Sequence, residues 1–292
     1  MLENIVDKFQ SNVCIVEIEG NSFCNRRCSY CINYYIDKTQ KNDVMPRKLF
    51  QKIIDELANV SYKRMITFHR YNEPFYNRNE EILFRIQYAR KKLPNARLIA
   101  SSNADYLDSE YLRRIQEAGL DELYLQCHTE HMSHYTDQDI QNRISQINEQ
   151  IGSFKGKFIH KEYATIFLTA YSGFKILTIQ TKDFIRDGFT RGGIAKNVQS
   201  RPIEGPCYQP LTSMTIDYNG NVTICCNSVS YHENHKEYIM GNCNEKTLYE
   251  IYSSEKAVYY RENLMKGIRE EICYQCNCNN RELALKYHVI DF

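Results

Sequence analysis

Neither sign of charge dominates this 292-residue chain: 37 lysines and arginines face 36 acids, a net of +1. Such a balance gives no reason to expect nucleic acid or an anionic membrane as the main partner. Also missing is any apolar run near the roughly 20 residues that span a bilayer. The opening Met1-Leu2-Glu3-Asn4-Ile5-Val6-Asp7-Lys8 carries acids where a secretory signal has its apolar region. There is no internal repeat and no low-complexity segment. Hydrophobic residues make up 42% of the chain and the mean hydropathy is −0.57, which fits a soluble globular protein with one large domain or a large and a small one. A cytoplasmic location is expected. The surplus is cysteine, twelve in all. In a reducing cytosol, clustered thiols bind metal or do chemistry more often than they pair as disulfides.

Between residue 14 and about 180, short apolar runs alternate with amphipathic helices. Ile15-Val16-Glu17-Ile18-Glu19 alternates like a strand. Pro46 opens a helix with Leu49, Phe50, Ile53, Ile54 and Leu57 on one face. Further strands are expected at Met65–Phe68, Arg97–Ala100 and Leu123–Gln126, with two more near Tyr163–Leu168 and Phe174–Ile179. The helices between them carry Ile82, Leu83, Ile86 and Ala89, then a segment from Asp108 as N-cap to Gly119, then Ile140, Ile144, Ile147 and Ile151. Repeated β-α units imply a parallel sheet. A full eight-fold barrel takes about 250 residues, so the expectation is an α/β fold: a partial (β/α)6 TIM-like barrel over residues 1–200. Arg201-Pro202-Ile203-Glu204-Gly205-Pro206 breaks the pattern. Residues 201–292 are expected to form a small cluster-binding domain, with a hairpin at Met214–Ile224 turning on Asn219-Gly220 and a helix over Leu248–Lys266.

Cys24-Asn25-Arg26-Arg27-Cys28-Ser29-Tyr30-Cys31 spaces three cysteines as C-x3-C-x2-C just after the first strand. Three thiolates hold three irons of a [4Fe–4S] cube and leave the fourth open. A zinc site needs a fourth ligand that no nearby His or Cys supplies, and a disulfide leaves an odd thiol. This pattern resembles the radical S-adenosylmethionine (SAM) superfamily. The resemblance implies that the open iron binds the amino and carboxylate groups of SAM, and that the reduced cluster cleaves it to a 5′-deoxyadenosyl radical. It also implies cofactor contacts: Tyr30 near the adenine, Asn72 and Glu73 in the Tyr71-Asn72-Glu73-Pro74 turn after the second strand, and Ser102 and Asn103 after the third. The family's turn has glycine where Asn72 stands, and alanine (Ala104) replaces the glycine after Asn103.

In the tail, Cys207, Cys225, Cys273 and Cys276 form a second set. Their spacing alone serves zinc and iron–sulfur equally. The tail resembles the short auxiliary-cluster extension, the twitch form of a SPASM domain. That implies a second [4Fe–4S] cluster with no open iron, suited to accepting an electron. The whole chain is similar to the branch of the superfamily that oxidises an aminocyclitol in antibiotic biosynthesis, sharing Arg191-Gly192-Gly193-Ile194 and Met240-Gly241-Asn242. It departs from that branch between about 129 and 190.

The implied activity is an oxidoreductase: a carbinol hydrogen is abstracted from a small polar substrate and a ketone results. Arg191 is expected at the active site. His69, Arg70 and His128, at strand ends, are candidates for the base. One rival is an epimerase of a sugar, aminocyclitol or peptide, in which Cys127 or Cys243 returns the hydrogen. The other is a zinc-stabilised binding module without catalysis. An external electron donor such as flavodoxin or ferredoxin is the expected partner, with no nucleic acid and no membrane.

Overall fold

The computed structural model describes residues 2–127, 136–152, 156–161, 164–169, 174–182, 184–199 and 201–289. One open ten-stranded sheet runs through it in the order β10-β9-β8-β1-β2-β3-β4-β7-β6-β5. The strands are β1 Ile15–Ile18, β2 Met65–Thr67, β3 Arg97–Ser102, β4 Glu122–Gln126, β5 Gly156–Lys161, β6 Ala164–Thr169, β7 Ile176–Lys182, β8 Ser213–Ile216, β9 Asn221–Thr223 and β10 Ile239–Asn242. Six neighbours, β8, β1, β2, β3, β4 and β7, are mutually parallel. The partial barrel expected from the β-α rhythm is therefore present.

Two of its strands are not where the rhythm put them. The expected strand near residues 163–168 lies in β6, which pairs antiparallel with both β5 and β7 at the sheet edge. A helical crossover is what parallel pairing requires, and only a short link separates β6 from β7. The sixth parallel strand comes instead from the tail: β8 lies beside β1, with Glu17 opposite Thr215. The hairpin on Asn219-Gly220 is formed as expected, since β8 pairs antiparallel with β9, and Gly220 supplies the positive φ of its turn.

The helix at Arg47–Asn59 buries all five of its expected apolar residues. The helix Ser109–Glu117 begins at Asp108, whose carboxylate accepts from the Tyr111 N–H, and Gly119 follows at φ +101°. The expected helix over Leu248–Lys266 is two, Leu248–Tyr252 and Glu255–Met265, because Ser254 caps a fresh start by accepting from the Ala257 N–H. A helix at Leu2–Asn12 was not anticipated; its Phe9 packs edge-on against Tyr249 and Tyr252 of the tail. Val16, Ile18, Ile66, Leu98 and Leu123 pack on the helix side of the sheet. By strand alternation, Glu17, Thr67 and Thr215 face the concave side.

Candidate functional site

Cys24, Cys28 and Cys31 sit in the loop between β1 and a short helix at Ile32–Tyr35. All three lie in the wall of an open cavity of about 130 Å³, together with Tyr30, His69, Arg70, Tyr71, Asn72, Glu73, Ser102, Asn103 and Gln126. Burial pushes the Cys24 thiol up to about 12 and raises Cys28 and Cys31 as well, and each of Cys24 and Cys28 is raised further by its neighbours in the trio. Three thiols lining one cavity are a donor set whose chemistry fits iron–sulfur binding.

Around that trio the polar side chains are tightly committed. Glu73 accepts from Ser102 Oγ at 2.7 Å, from the Asn103 N–H at 2.8 Å and from the Phe75 N–H at 3.1 Å, tying the turn after β2 to the end of β3. Burial nevertheless raises its carboxyl to about 7, against those donors. Asn103 donates to Asn25, and Asn72 donates to Asn21. Tyr30 stacks on Phe184 at 4.4 Å and 13°. His69 accepts from the Ser101 N–H through Nδ1 at 3.0 Å, and burial pulls it down to about 4. The ring is therefore neutral with its proton on Nε2, so it faces the cavity as a donor rather than a base. His128 lies outside the described residues.

In the tail, Cys207, Cys273 and Cys276 are buried, and Cys225 is raised by burial and by the proximity of Cys226, Cys276, Cys273 and Cys207. The other three expected thiols thus act electrostatically on Cys225. Asn227 Nδ2 reaches Cys276 Sγ at 3.8 Å. The donor chemistry again fits a cluster, here with four protein thiolates and no open iron.

Arg191 joins the two sets. It sits at φ +52°, packs its guanidinium 5.2 Å from the Phe189 ring, and has Tyr71, Cys226, Cys31 and Cys278 as its electrostatic partners. Cys127 and Cys243 are fully buried in the main apolar core, Cys127 with its thiol 3.8 Å from the Ile140 carbonyl. Burial raises them to about 11 and about 12.

Residues 18–144 match the radical SAM superfamily, and residues 207–277 match the SPASM iron-sulfur cluster-binding domain. The chain carries a radical SAM domain followed by a SPASM-type iron-sulfur domain. Like other radical SAM enzymes with such an extension, it works with SAM and iron–sulfur clusters. It is 24% identical, over 91% of its length and 92% of the relative, to the S-adenosyl-L-methionine-dependent 2-deoxy-scyllo-inosamine dehydrogenase of Niallia circulans. Its fold is similar to that of BtrN in complex with AdoMet and 2-DOIA, with a TM-score of 0.69 and 22% identity over 91% of this chain and 93% of that one. Native anSMEcpe with bound AdoMet shares the fold more distantly, with a TM-score of 0.52 and 12% identity over 94% and 95% of the two chains.

Three residues of this radical SAM protein escaped the sequence reading of the site. Glu17 is half-buried on the concave side of β1, and Arg70 and Arg191 are its charged neighbours. Cys226 stands next to Cys225, with Glu17, Cys278, Arg191 and Arg70 acting on it electrostatically. Lys38 donates to the fully buried Glu19 at 2.6 Å and to Tyr231 at 2.9 Å. The signals were there: two acids on one face of an otherwise apolar strand, and a doubled Cys225-Cys226.

Proposed function

We propose that this protein oxidises a carbinol of a small polar substrate, sugar- or aminocyclitol-like, to a ketone. The observation that carries the reading is Arg191, which has Cys31 of one thiol set and Cys278 and Cys226 beside the other among its partners. Net oxidation needs an acceptor for the second electron, and a four-thiolate cluster with no open iron is suited to that task and poorly suited to binding substrate. When bound, SAM on the first cluster supplies the hydrogen-atom acceptor and the second cluster supplies the electron acceptor.

On this reading Cys24, Cys28 and Cys31 hold the SAM-binding cluster, and Cys207, Cys225, Cys273 and Cys276 hold the auxiliary one. Tyr30, Asn72, Glu73, Ser102 and Asn103 border the SAM site, the last three as one hydrogen-bonded frame. His69 donates from Nε2 toward the cavity. The functional division falls near residue 200, although the sheet itself runs on through β8. No helix among the described residues is long and apolar enough to cross a membrane, and an external one-electron donor of the flavodoxin or ferredoxin class is the expected partner.

The test is anaerobic turnover of the reconstituted protein with 2-deoxy-scyllo-inosamine and related cyclitols. The expected outcome is one ketone per 5′-deoxyadenosine. Epimer without ketone would overturn the reading. One observation favours that second outcome: Cys226 is placed among Glu17, Arg70 and Arg191, where a thiol can return a hydrogen atom, whereas Cys127 and Cys243 are sealed in the core.

A further inference from the structure

We propose that Glu17 is the base that takes the substrate's hydroxyl proton, with Arg70 and Arg191 beside it to hold the oxygen as it becomes anionic. The inference rests on the carbinol oxidation proposed above. Glu17 projects from the middle of β1 to the concave face, in register with Thr67 on one side and Thr215 on the other. The hydroxyls of both threonines are buried without a hydrogen-bond partner, as are Arg70 Nε and Nη1 and Arg191 Nε. The Arg70 side chain is only 2% exposed. Buried polar atoms are rarely left unpaired, so this group of donors and acceptors is shaped for a ligand rich in hydroxyls.

Other acids along the mouth of the barrel are already committed. Glu73 serves three donors. Asp105 is clamped by Arg26, Asn25 and Arg143, Glu122 by Arg97, and Glu19 by Lys38 through one oxygen, with its other oxygen 3.9 Å from Arg70 Nη1. Glu17 accepts no hydrogen bond from the described residues. The charged and titratable groups that act on it are Arg70 from the turn after β2, Arg191 from its glycine turn, Glu19 on its own strand and Cys226 from the tail. Burial raises its carboxyl, against the pull of the two guanidiniums and with some help from Glu19, which moves a carboxylate toward the range in which a base works at neutral pH.

The step balances. The carbinol C–H bond breaks and its hydrogen atom passes to the acceptor derived from SAM. The O–H bond breaks and its proton passes to a Glu17 oxygen. The C–O double bond forms as the remaining electron leaves for a one-electron acceptor, the auxiliary iron–sulfur cluster. The guanidiniums stabilise the oxygen while it carries charge, which is worth most in a site shielded from water.

The experiment uses the reconstituted holoprotein with 2-deoxy-scyllo-inosamine deuterated at its carbinol carbons as probe, comparing wild type, Glu17→Gln and Glu17→Asp. Glu17→Gln should still move deuterium into 5′-deoxyadenosine but lose ketone formation by about 100-fold, a typical share for a general base. Glu17→Asp should recover part of it. Iron content and SAM binding, measured by equilibrium dialysis, should match wild type in both variants. Ketone formation by Glu17→Gln within twofold of wild type overturns the proposal, as does loss of deuterium transfer in step with ketone. If wild type itself takes no deuterium from the probe, the carbinol reading fails and Glu17's role as base fails with it.

Discussion

The guanidinium of Arg191 lies 5.3 Å from the centre of the Tyr71 ring, while its Nη1 donates to Asn227 Oδ1 at 2.8 Å. Tyr71 in turn donates its hydroxyl to the Cys226 carbonyl at 2.6 Å. One arginine thus couples the turn after β2 to the 225–227 stretch of the tail. A planar guanidinium can stack and donate at once, and an ammonium cannot. Arg191→Lys is therefore expected to lose at least about tenfold in substrate-dependent turnover, roughly 1.4 kcal/mol, with iron content preserved. Arg191→Ala should lose more, since Asn227 and the Tyr71 face are then left without their cation. Turnover by Arg191→Lys equal to wild type would remove Arg191 from the site.

The two thiol sets make separate demands on iron. Anaerobic reconstitution should give about eight irons per chain, falling to about four when Cys24, Cys28 and Cys31 are all changed to alanine. Changing Cys207, Cys225, Cys273 and Cys276 should also leave about four, with SAM cleavage retained. About four irons in wild type and near zero in the first variant would mean that the tail holds zinc or nothing, and the electron-acceptor argument would then fail.

Much of this was legible in the sequence because its signals are local. The C-x3-C-x2-C run, the Asn219-Gly220 turn, the Asp108 cap and the apolar face at Leu49–Leu57 each act within a few residues, and each reappears in the structure. The misplaced elements depend on pairing at long range. Whether a six-residue apolar strand such as β6 runs parallel or antiparallel is decided by what links it to its neighbour, and the place of β8 beside β1 joins residues about 200 apart in sequence. The same holds for the site. Cys127 and Cys243 read as candidate hydrogen donors from position alone, yet packing sealed both away. Cys226 gained its role only because the tail folds back over β1 and the turn after β2.

His69 should leave a mark on stability as well as on the cavity. Its folded value is about 4, below the ordinary 6.5 of an exposed imidazole, because burial disfavours the charged ring. Above 6.5 both folded and unfolded chains hold it neutral. Between 6.5 and 4 the unfolded chain binds the proton and the folded one does not, so stability falls as the pH drops through that window. From pH 7.5 to 5.5 the loss is about 1.4 kcal/mol. His69→Gln keeps an acceptor for the Ser101 N–H without titrating. Urea midpoints for the two proteins should therefore diverge by that amount between these pH values. Parallel behaviour would show that His69 charges freely in the folded state.

Cys226 decides between the two outcomes open to the substrate radical. If the thiol is only a neighbour of the auxiliary cluster, Cys226→Ser changes a half-buried sulfur to oxygen and ketone formation should stay within about threefold of wild type. If instead Cys226 returns a hydrogen atom, the S–H bond breaks, the carbon centre is inverted, and a thiyl is left that an external one-electron donor and a proton must restore. Solvent deuterium would then appear at one carbon of the product in wild type. In Cys226→Ser it would vanish while SAM cleavage continued, because a serine O–H is too strong to give up its hydrogen to a carbon radical. Carbinol oxidation predicts the opposite pattern: ketone from both proteins and no solvent deuterium at the reacting carbon. A one-electron acceptor in the tail, as proposed above, makes the dehydrogenase outcome the one expected.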